Sequence, residues 1–580
     1  MFWILLSAQL GAVAQPDSAE VLRAARSAQA RFELFRLDHL PRSRDGSYSG
    51  PCDDRIGRFC FRFGDDGDDD EWTPPPEPPS IGAARATLVA RLDSLHRRSP
   101  GDAWIVGQLV RYLVESAQPA EAAAAARTCR SPAWWCDALT GYAFHAERDY
   151  AAADSAFGAA LSAMPEAQRC EWTDLSPVLD RLRAQYRRLG CAQRAPLERR
   201  IWWLADPLYL VPGNERRTEH YARRVMGALQ DDARSAYHDR WGSDLDEVVV
   251  RYGWPVSFER AEPPTLGTPE VHITSHYAPH ARQFLPPAAF VDAPSTIGPD
   301  QWDLDPERPV SDYAPAYAAR FHNLPHQVAV FRRGDSIVVV AGYDVRTSTL
   351  NHGRTPRSAL DRERARKVTR VEAALVLAKD ENVEPIIVRG SSDGPQGVMT
   401  AIAPAESALL SLETLDTADS VHAARVRYWL PVAPLGDAVA VSDPLLLGAT
   451  PGDSAHPSLA DVLPLVRPVA QARRGERVPV FWETYGLGRS TQPYRVTLTV
   501  TQAGQNWLRR AAEWAGLAKH DPRYVAVSWE EPPSSAPVTP RALTIAMPDA
   551  SPGVYLLEVS VAVPGAAVAR ASRDITILPE

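Results

Sequence analysis

The period of the apolar positions changes once along this 580-residue chain. From Ala83 to about Gly190 apolar residues return at helical spacing, whereas from His326 onward they alternate with polar ones, as a strand with one buried face requires. Residues 327–343 read as a hairpin, with Val328, Val330, Val338 and Val340 at alternating positions about an Arg333-Gly334-Asp335 turn. Short strands follow at 371–377, 383–388, 398–403, 408–412 and 425–430, and a second set at 478–485, 493–500, 542–547, 553–563 and 573–578. Many short strands separated by turn residues predict stacked sheets, so two antiparallel β-sandwiches are expected over residues 326–450 and 451–580.

The helical stretch repeats. Gly107 and Gly141 stand 34 residues apart (141 − 107), and Gly141 is followed by Phe144, Ala153, Phe157, Ala160 and Pro165. Glycine and alanine permit two antiparallel helices to touch, and the phenylalanines fill the space that remains. These offsets resemble the tetratricopeptide pattern, which implies stacked helix pairs over residues 83–200. The earlier repeat, 101–132, keeps Gly107 and Pro132 but runs Ala122 to Ala126 where the aromatic residue should be.

Between the two regimes lies the stretch 202–255. Asn214 is placed to cap a helix in which Tyr221, Val225, Ala228 and Leu229 form one buried face, with the charged residues Glu215, Arg216, Glu219, Arg223 and Arg224 mostly elsewhere around it. Next come Trp241-Gly242-Ser243-Asp244 and a run ending Arg251-Tyr252-Gly253-Trp254-Pro255. Asp244 and Glu247 have capping-box spacing, which argues helix for 248–252, while three β-branched valines argue strand. This order of elements resembles the bacterial GWxTD domain family, with Trp241, Ser243 and Asp244 at the Trp, Thr and Asp positions, Arg240 in place of the leading glycine, and an RYGxP-like ending at Gly253 and Pro255. The resemblance covers about 60 residues well, extends loosely into the β-rich remainder, and brings no catalytic residues with it. It implies a small α/β domain over 201–295, followed by a linker at 296–325, with Trp241 filling the core and Asp244 accepting backbone N–H groups. Pro552-Gly553 before Val554-Tyr555-Leu556 likewise resembles the late strands of immunoglobulin-like and fibronectin-like modules.

Composition adds the compartment. Residues 1–14 read as a signal peptide cut after Ala14, although its start holds no Lys or Arg. The six cysteines are Cys52, Cys60, Cys129, Cys136, Cys170 and Cys191, an even number without a CxxC pair, which fits disulfides in an oxidising compartment. Of the 15 possible pairings, three sequence-adjacent pairs are the economical expectation. Cys52 and Cys60 lie in a cysteine-bearing segment, 15–82, that ends in an acidic and proline-rich linker. A net charge of −9 gives no basic surface for nucleic acid, and no window is apolar for long enough to span a bilayer.

Four patterns invite chemistry. Asp66, Asp68, Asp70 and Glu77 fall at calcium-loop offsets, but Glu71 stands where the turn needs glycine and Pro74 to Pro76 forbid the helix that should follow. His272, His276 and His280 are spaced by four, yet Val271 to Thr274 reads as a strand and Pro279 precedes the third. Arg333-Gly334-Asp335 is what a tight turn wants, so no adhesion role is read from it. Gly390-Ser391-Ser392-Asp393-Gly394 satisfies GxSxG, but a strand and no helix follows, where a nucleophile elbow needs a helix. No catalytic, cofactor or metal residues are therefore assigned. The expectation is an exported, periplasmic or secreted, non-enzymatic scaffold that binds another envelope or secreted protein. The alternatives are a serine hydrolase using Ser392 with His422 or His456, and a glycan-binding sandwich using exposed Trp482 and Tyr485.

Overall fold

The computed structural model describes residues 18–43, 52–61, 75–179, 182–261, 272–277, 290, 297–299, 311, 313–318, 320–347, 349–350, 370–416, 422–434, 436, 438–451, 457–489, 491–502, 525–547 and 551–578. The signal-peptide and calcium-loop readings lie outside them, Glu77 excepted, as do His280 and His456. Helices occupy the N-terminal half and sheets most of the C-terminal half, in two compact units. The first comprises residues 1–207, 211–296 and 302–316, and the second 208–210, 297–301 and 317–580.

The first unit is built on helices α1 (Ser18–His39), α2 (Pro79–Arg98), α3 (Ala103–Glu115), α4 (Pro119–Arg127), α5 (Ala133–Glu147), α6 (Tyr150–Ala163), α7 (Glu166–Trp172), α8 (Arg183–Arg188), α9 (Cys191–Ala205), α10 (Glu215–Gln230) and α11 (Ser243–Tyr252). Local chemistry sets several starts. Asp102, Asp149 and Asn214 accept from the backbone N–H of Ile105, Ala152 and Arg217 at 3.0, 3.0 and 2.9 Å, satisfying donors that a helix cannot pair itself. Helices α5 and α6 are joined by Arg148-Asp149 and touch where glycine allows it: a Cβ on Gly141 would lie 2.8 Å from the ring of Phe157. At Gly107 the corresponding space is filled by Leu229 of α10 and by Trp135.

One apolar core runs through most of the helices of this unit. Val21, Ala25 and Phe32 of α1 share it with Leu109 of α3, Phe157 of α6 and Tyr221, Val225 and Leu229 of α10. Residues 18–39 are therefore part of the helical body and not of a separate cysteine-bearing segment, and neither the 82/83 nor the 200/201 boundary divides a core. Buried charges fasten α1 as well: Arg111 donates to Glu33 at 3.1 Å and to Glu115 at 2.8 Å, and Arg36 pairs with Glu115. Helix α10 also departs from the reading of one buried face. Glu215, Arg216, His220 and Arg223 are buried along with Tyr221, Val225 and Leu229, because neighbouring helices and loops cover most of α10, while Ala228, expected on the buried face, is exposed. Residues 248–252 are helical, since Val248, Val249 and Val250 are all fully buried and packing outweighs the strand preference of branched residues.

In the second unit a six-stranded sheet runs in the order Ile386–Ser392, Val371–Ala378, Ala408–Asp416, His422–Leu430, Arg320–Asn323, Thr349–Leu350. It shares a core with a three-stranded sheet of Gln396–Pro404, Ser336–Asp344 and His326–Arg333, through Leu375, Leu410 and Leu412 on one side and Val339, Ala341 and Tyr343 on the other. A second pair of sheets shares Trp482, Val480, Leu498, Val559 and Ile575. The 450/451 boundary is displaced, because Ala440–Val441 and Leu445–Leu446 already pair with Arg477–Tyr485. A third cluster, with Phe331 and Val340 from the first pair and Leu445, Leu447 and Phe481 from the second, joins the two. Gln327 strengthens that junction by imitating a strand: its amide donates to the Leu446 carbonyl at 2.9 Å and accepts from the Leu446 N–H at 3.1 Å.

Phe157 is 2% exposed. Phe157→Ala is expected to cost about 3–5 kcal/mol, the range for a buried phenylalanine whose site collapses poorly. Chemical denaturation of the full-length variant followed by circular dichroism at helical wavelengths measures it, and an unchanged helical transition would show that the α5–α6 contact carries no such weight.

Candidate functional site

The segment Trp241-Gly242-Ser243-Asp244 meets the first disulfide hairpin. Strands Asp54–Ile56 and Phe59–Phe61 pair with Arg55 opposite Cys60, and the Cys52–Cys60 bond closes the hairpin with a Cα–Cα distance of 5.4 Å. Its turn places Gly57 at φ 51°, where a Cβ would come within 2.6 Å of the Asp244 Cβ. Glycine is thus needed here twice over, for the left-handed backbone and for the close approach. Next to it, Arg58 grips Asp244 in a two-point contact, Nε to Oδ2 at 2.7 Å and Nη2 to Oδ1 at 3.0 Å, and donates to the Arg240 carbonyl at 2.9 Å. The Arg58 hydrogen bonds hold the Asp244 carboxyl well below its usual range, down to about 2.

At its other end the hairpin holds the last turn of α11. Asp54 accepts from the Tyr252 hydroxyl at 2.8 Å and pairs with Arg251. Against a burial penalty that would raise it, the Tyr252 hydrogen bond and the Arg251 charge keep the Asp54 carboxyl below its ordinary value. Ile56, Val248 and Tyr252 form the apolar layer between, with Phe61 stacked on Tyr252 at 4.4 Å.

This corrects the capping reading. The residue before α11 is Gly242, and no side chain caps the N-terminus of the helix. Asp244 lies in the first turn and does accept backbone N–H groups, from Leu245 at 2.9 Å and Arg58 at 3.4 Å, beside its pairing with the Arg58 side chain, while Glu247 is taken by Arg183 at 2.7 and 2.8 Å. Ser243 begins the helix, Trp241 is half-buried against the helical core, and Gly253 at φ 81° ends α11 just before Pro255. The packed glycine is covered by Arg223, which donates to the carbonyls of Val250 and Arg251 at 3.2 and 2.8 Å, so a cation completes the negative end of the helix. Arg223 in turn holds Glu219 at 2.5 Å, and Glu219 bonds His145 of α5 at 2.7 Å. Burial would raise the Glu219 carboxyl, but Arg223 and His145 together drive it far below its ordinary value.

The remaining cysteines pair as Cys129–Cys136 and Cys170–Cys191. Two cavities of about 210 Å³ each open on the first unit: one is bordered by α6, α9 and α10, the other by His145, Tyr150, Glu219 and Tyr313. In the second cavity both ring nitrogens of His145 are engaged, by Glu219 at 2.7 Å and Thr218 at 2.9 Å, which suits a positioning role rather than proton transfer.

The other sequence candidates are dispersed. Ser392 ends a strand, donates to the Gly394 carbonyl at 2.8 Å and accepts from the Tyr343 hydroxyl at 3.1 Å; a turn and another strand follow it, so the elbow geometry is not formed. His422 begins the strand paired with Arg320–Asn323. Trp482 and Tyr485 are buried at 0% and 3% exposure, so they do not form a glycan-stacking surface; Trp482 fills the core between sheets and Tyr485 bonds Glu483. His272 and His276 sit on a strand, His276 bonded to Glu259 at 2.8 Å, and among the described residues no group of three His, Cys, Asp or Glu is placed to hold a metal. Arg58 and Asp54 were missed, although a glycine between cysteines eight residues apart signals a hairpin turn.

Asp244 has a folded value below its unfolded one, so its pairing stabilises the protein above about pH 4 and the gain disappears as pH falls toward 2. Asp244→Asn is expected to lower stability at pH 7 by about 0.2–1 kcal/mol, as befits a pair open to solvent on the arginine side. Melting curves of the variant and wild type should converge near pH 2 and at high salt; a gap independent of pH would contradict the assignment.

No family model matches the sequence, and no curated protein does. The solved structure of dimeric latent PorU from Porphyromonas gingivalis is similar at 10% identity over 44% of this chain, with a TM-score of 0.18. The match spans only 20% of that chain, and a likeness this slight carries no argument about fold or activity.

Proposed function

We propose that the chain is an exported, non-enzymatic protein of the cell envelope, periplasmic or secreted, that acts as a protein-interaction scaffold. In this reading tetratricopeptide-like helix pairs and a GWxTD-like region form its first part, two β-sandwiches form its second, and the partner is another envelope or secreted protein. Three disulfides in the N-terminal third support the compartment, because such bonds persist where thiols are oxidised. Among the described residues no helix is long and apolar enough to cross a membrane.

The observation that carries the binding role is a turn at residues 393–395 flanked by two edge strands. Ile386–Ser392 pairs only with Val371–Ala378, and Gln396–Pro404 only with Ser336–Asp344, among the described strands. Edge strands are ordinarily protected by charge or brevity, since an open edge accepts a further strand. Here the edge strand is nine residues long and exposes Gln396, Val398, Thr400, Ile402 and Pro404, none of them charged. Ile402 is 69% and Val398 39% exposed. An extended partner segment with apolar residues at alternate positions matches that edge through backbone hydrogen bonds and aliphatic contact.

The test is crosslinking in the native bacterium followed by pull-down with wild type and Ile402→Lys. The substitution is on the surface and is expected to leave melting within about 0.5 kcal/mol of wild type. Loss of the captured partner from the normally folded variant supports the reading, and undiminished capture contradicts it.

A further inference from the structure

Two bonds just beyond its ends fix which backbone groups of Gln396–Pro404 face the open edge. The Val345 N–H donates to the Pro395 carbonyl and the Ala405 N–H to the Asp335 carbonyl, each at 2.9 Å. Both lie one step outside the register that runs from Gln396 opposite Asp344 to Pro404 opposite Ser336. In an antiparallel pair, bonded and non-bonded residues alternate. Gly397, Met399, Ala401 and Ala403 therefore bond to Ser336–Asp344, and the backbone N–H and C=O groups of Val398, Thr400 and Ile402 point away from it to the open edge. Among the described strands none pairs there. Pro404 closes the row, since it has no N–H and its carbonyl accepts from the Glu406 N–H at 2.8 Å.

This open row is symmetric about Thr400. Val398 and Ile402 flank it at equal distance with exposed side chains on the outer face, while Met399, Ala401 and Ala403 enter the core. A second strand of the same sequence, running antiparallel about Thr400, sets Val398 against Ile402, Thr400 against Thr400 and Ile402 against Val398. All three are bonded pairs, so each exchanges two hydrogen bonds. Within one copy Val338 already stands opposite Ile402 and Gly342 opposite Val398, so the apposed valine and isoleucine continue an apolar row. No exposed position of the strand carries a charge, and self-pairing brings no like charges together. Both strands are held ready by their own sheets, whereas a flexible segment must be ordered as it binds.

We propose that in the purified protein this edge pairs with the same edge of a second copy of the chain, joining two three-stranded sheets across a two-fold axis. The contact is isologous, because the strand is its own complement. The inference rests on the open edge of the reading above, and it names the occupant that another protein's strand has to displace. One pair of strands is a small contact against the roughly 1,200–2,000 Å² of stable interfaces. The dimer is therefore weak and concentration-dependent, with a dissociation constant of about 1–100 µM.

Sedimentation equilibrium of the full-length protein over about 1–200 µM tests it. Wild type should pass from monomer to dimer. Ile402→Lys and Val398→Glu should each weaken the dimer about tenfold or more, because each sets a charge against an aliphatic side chain. Carrying both on one chain should bring dimerisation back above either single variant at low salt, since the register places each Glu against a Lys of the other copy. Thr400→Pro removes an outward N–H and no bond to Ser336–Asp344, so it should abolish the dimer while the chain still melts cooperatively. The proposal is overturned by a monomer at every concentration, by a dimer that Ile402→Lys and Thr400→Pro leave intact, or by a double variant no stronger than the singles. A monomeric wild type whose partner capture is still lost in Ile402→Lys sinks self-pairing alone. A wild-type dimer that Ile402→Lys dissociates, with capture undiminished, sinks the scaffold reading alone.

Discussion

A helix that carries charge around most of its circumference and is buried around most of it has to find a partner for each charge. Taking an ion out of water costs several kcal/mol even after the surroundings relax, and the attraction of a partner recovers that cost only with good geometry. Helix α10 meets the condition in three directions. Glu219 joins it to His145 of α5, Arg217 joins it to Asp154 of α6, and Arg223 joins it to the terminal carbonyls of α11. Its apolar residues Tyr221, Val225 and Leu229 enter the core that α1, α3 and α6 also build. The polar and apolar sides of α10 thus point to the same arrangement, and helices α5 and α6 become one body with α11.

The disulfide hairpin extends this logic to the surface. A bond closing eight residues restricts the unfolded chain by roughly 2–3 kcal/mol in the chain-entropy account. Pre-forming the hairpin also presents Asp54 and Arg58 at a fixed separation, so that they meet opposite ends of α11 at Arg251 and Asp244. A ten-residue helix is too short to persist alone in water. Held by the hairpin at both ends and capped by Arg223, α11 is fixed by its neighbours and not by its own propensity.

What the sequence reveals follows the range of the interactions. The change from helical to strand period, the Asn214 cap and the turn at Gly334 are local, and the residues that make them are adjacent. Gly141 and Phe157 lie 16 residues apart (157 − 141), and the structure brings them together across a two-residue turn. By contrast, Asp244 takes its partner from 186 residues away, and its local spacing to Glu247 suggests a capping box that the fold does not use. The charges of α10 look like a solvent face because pattern alone cannot tell a paired buried ion from a hydrated one. Trp482 and Tyr485 fail as surface aromatics because every residue of Arg477–Tyr485 after the first is buried, on both faces of the strand.

The central claim is that α10 makes helices α5 and α6 and helix α11 one cooperative body, and native-state hydrogen exchange on full-length Glu219→Ala tests it most directly. Removing one partner of a buried ion pair costs about 3–5 kcal/mol. The account expects the slowest-exchanging amides of α5, α6, α10 and α11 to lose protection together and by similar amounts. If the amides of α11 lose protection while those of α5 and α6 keep theirs, the two regions are separate domains and α10 does not unite them.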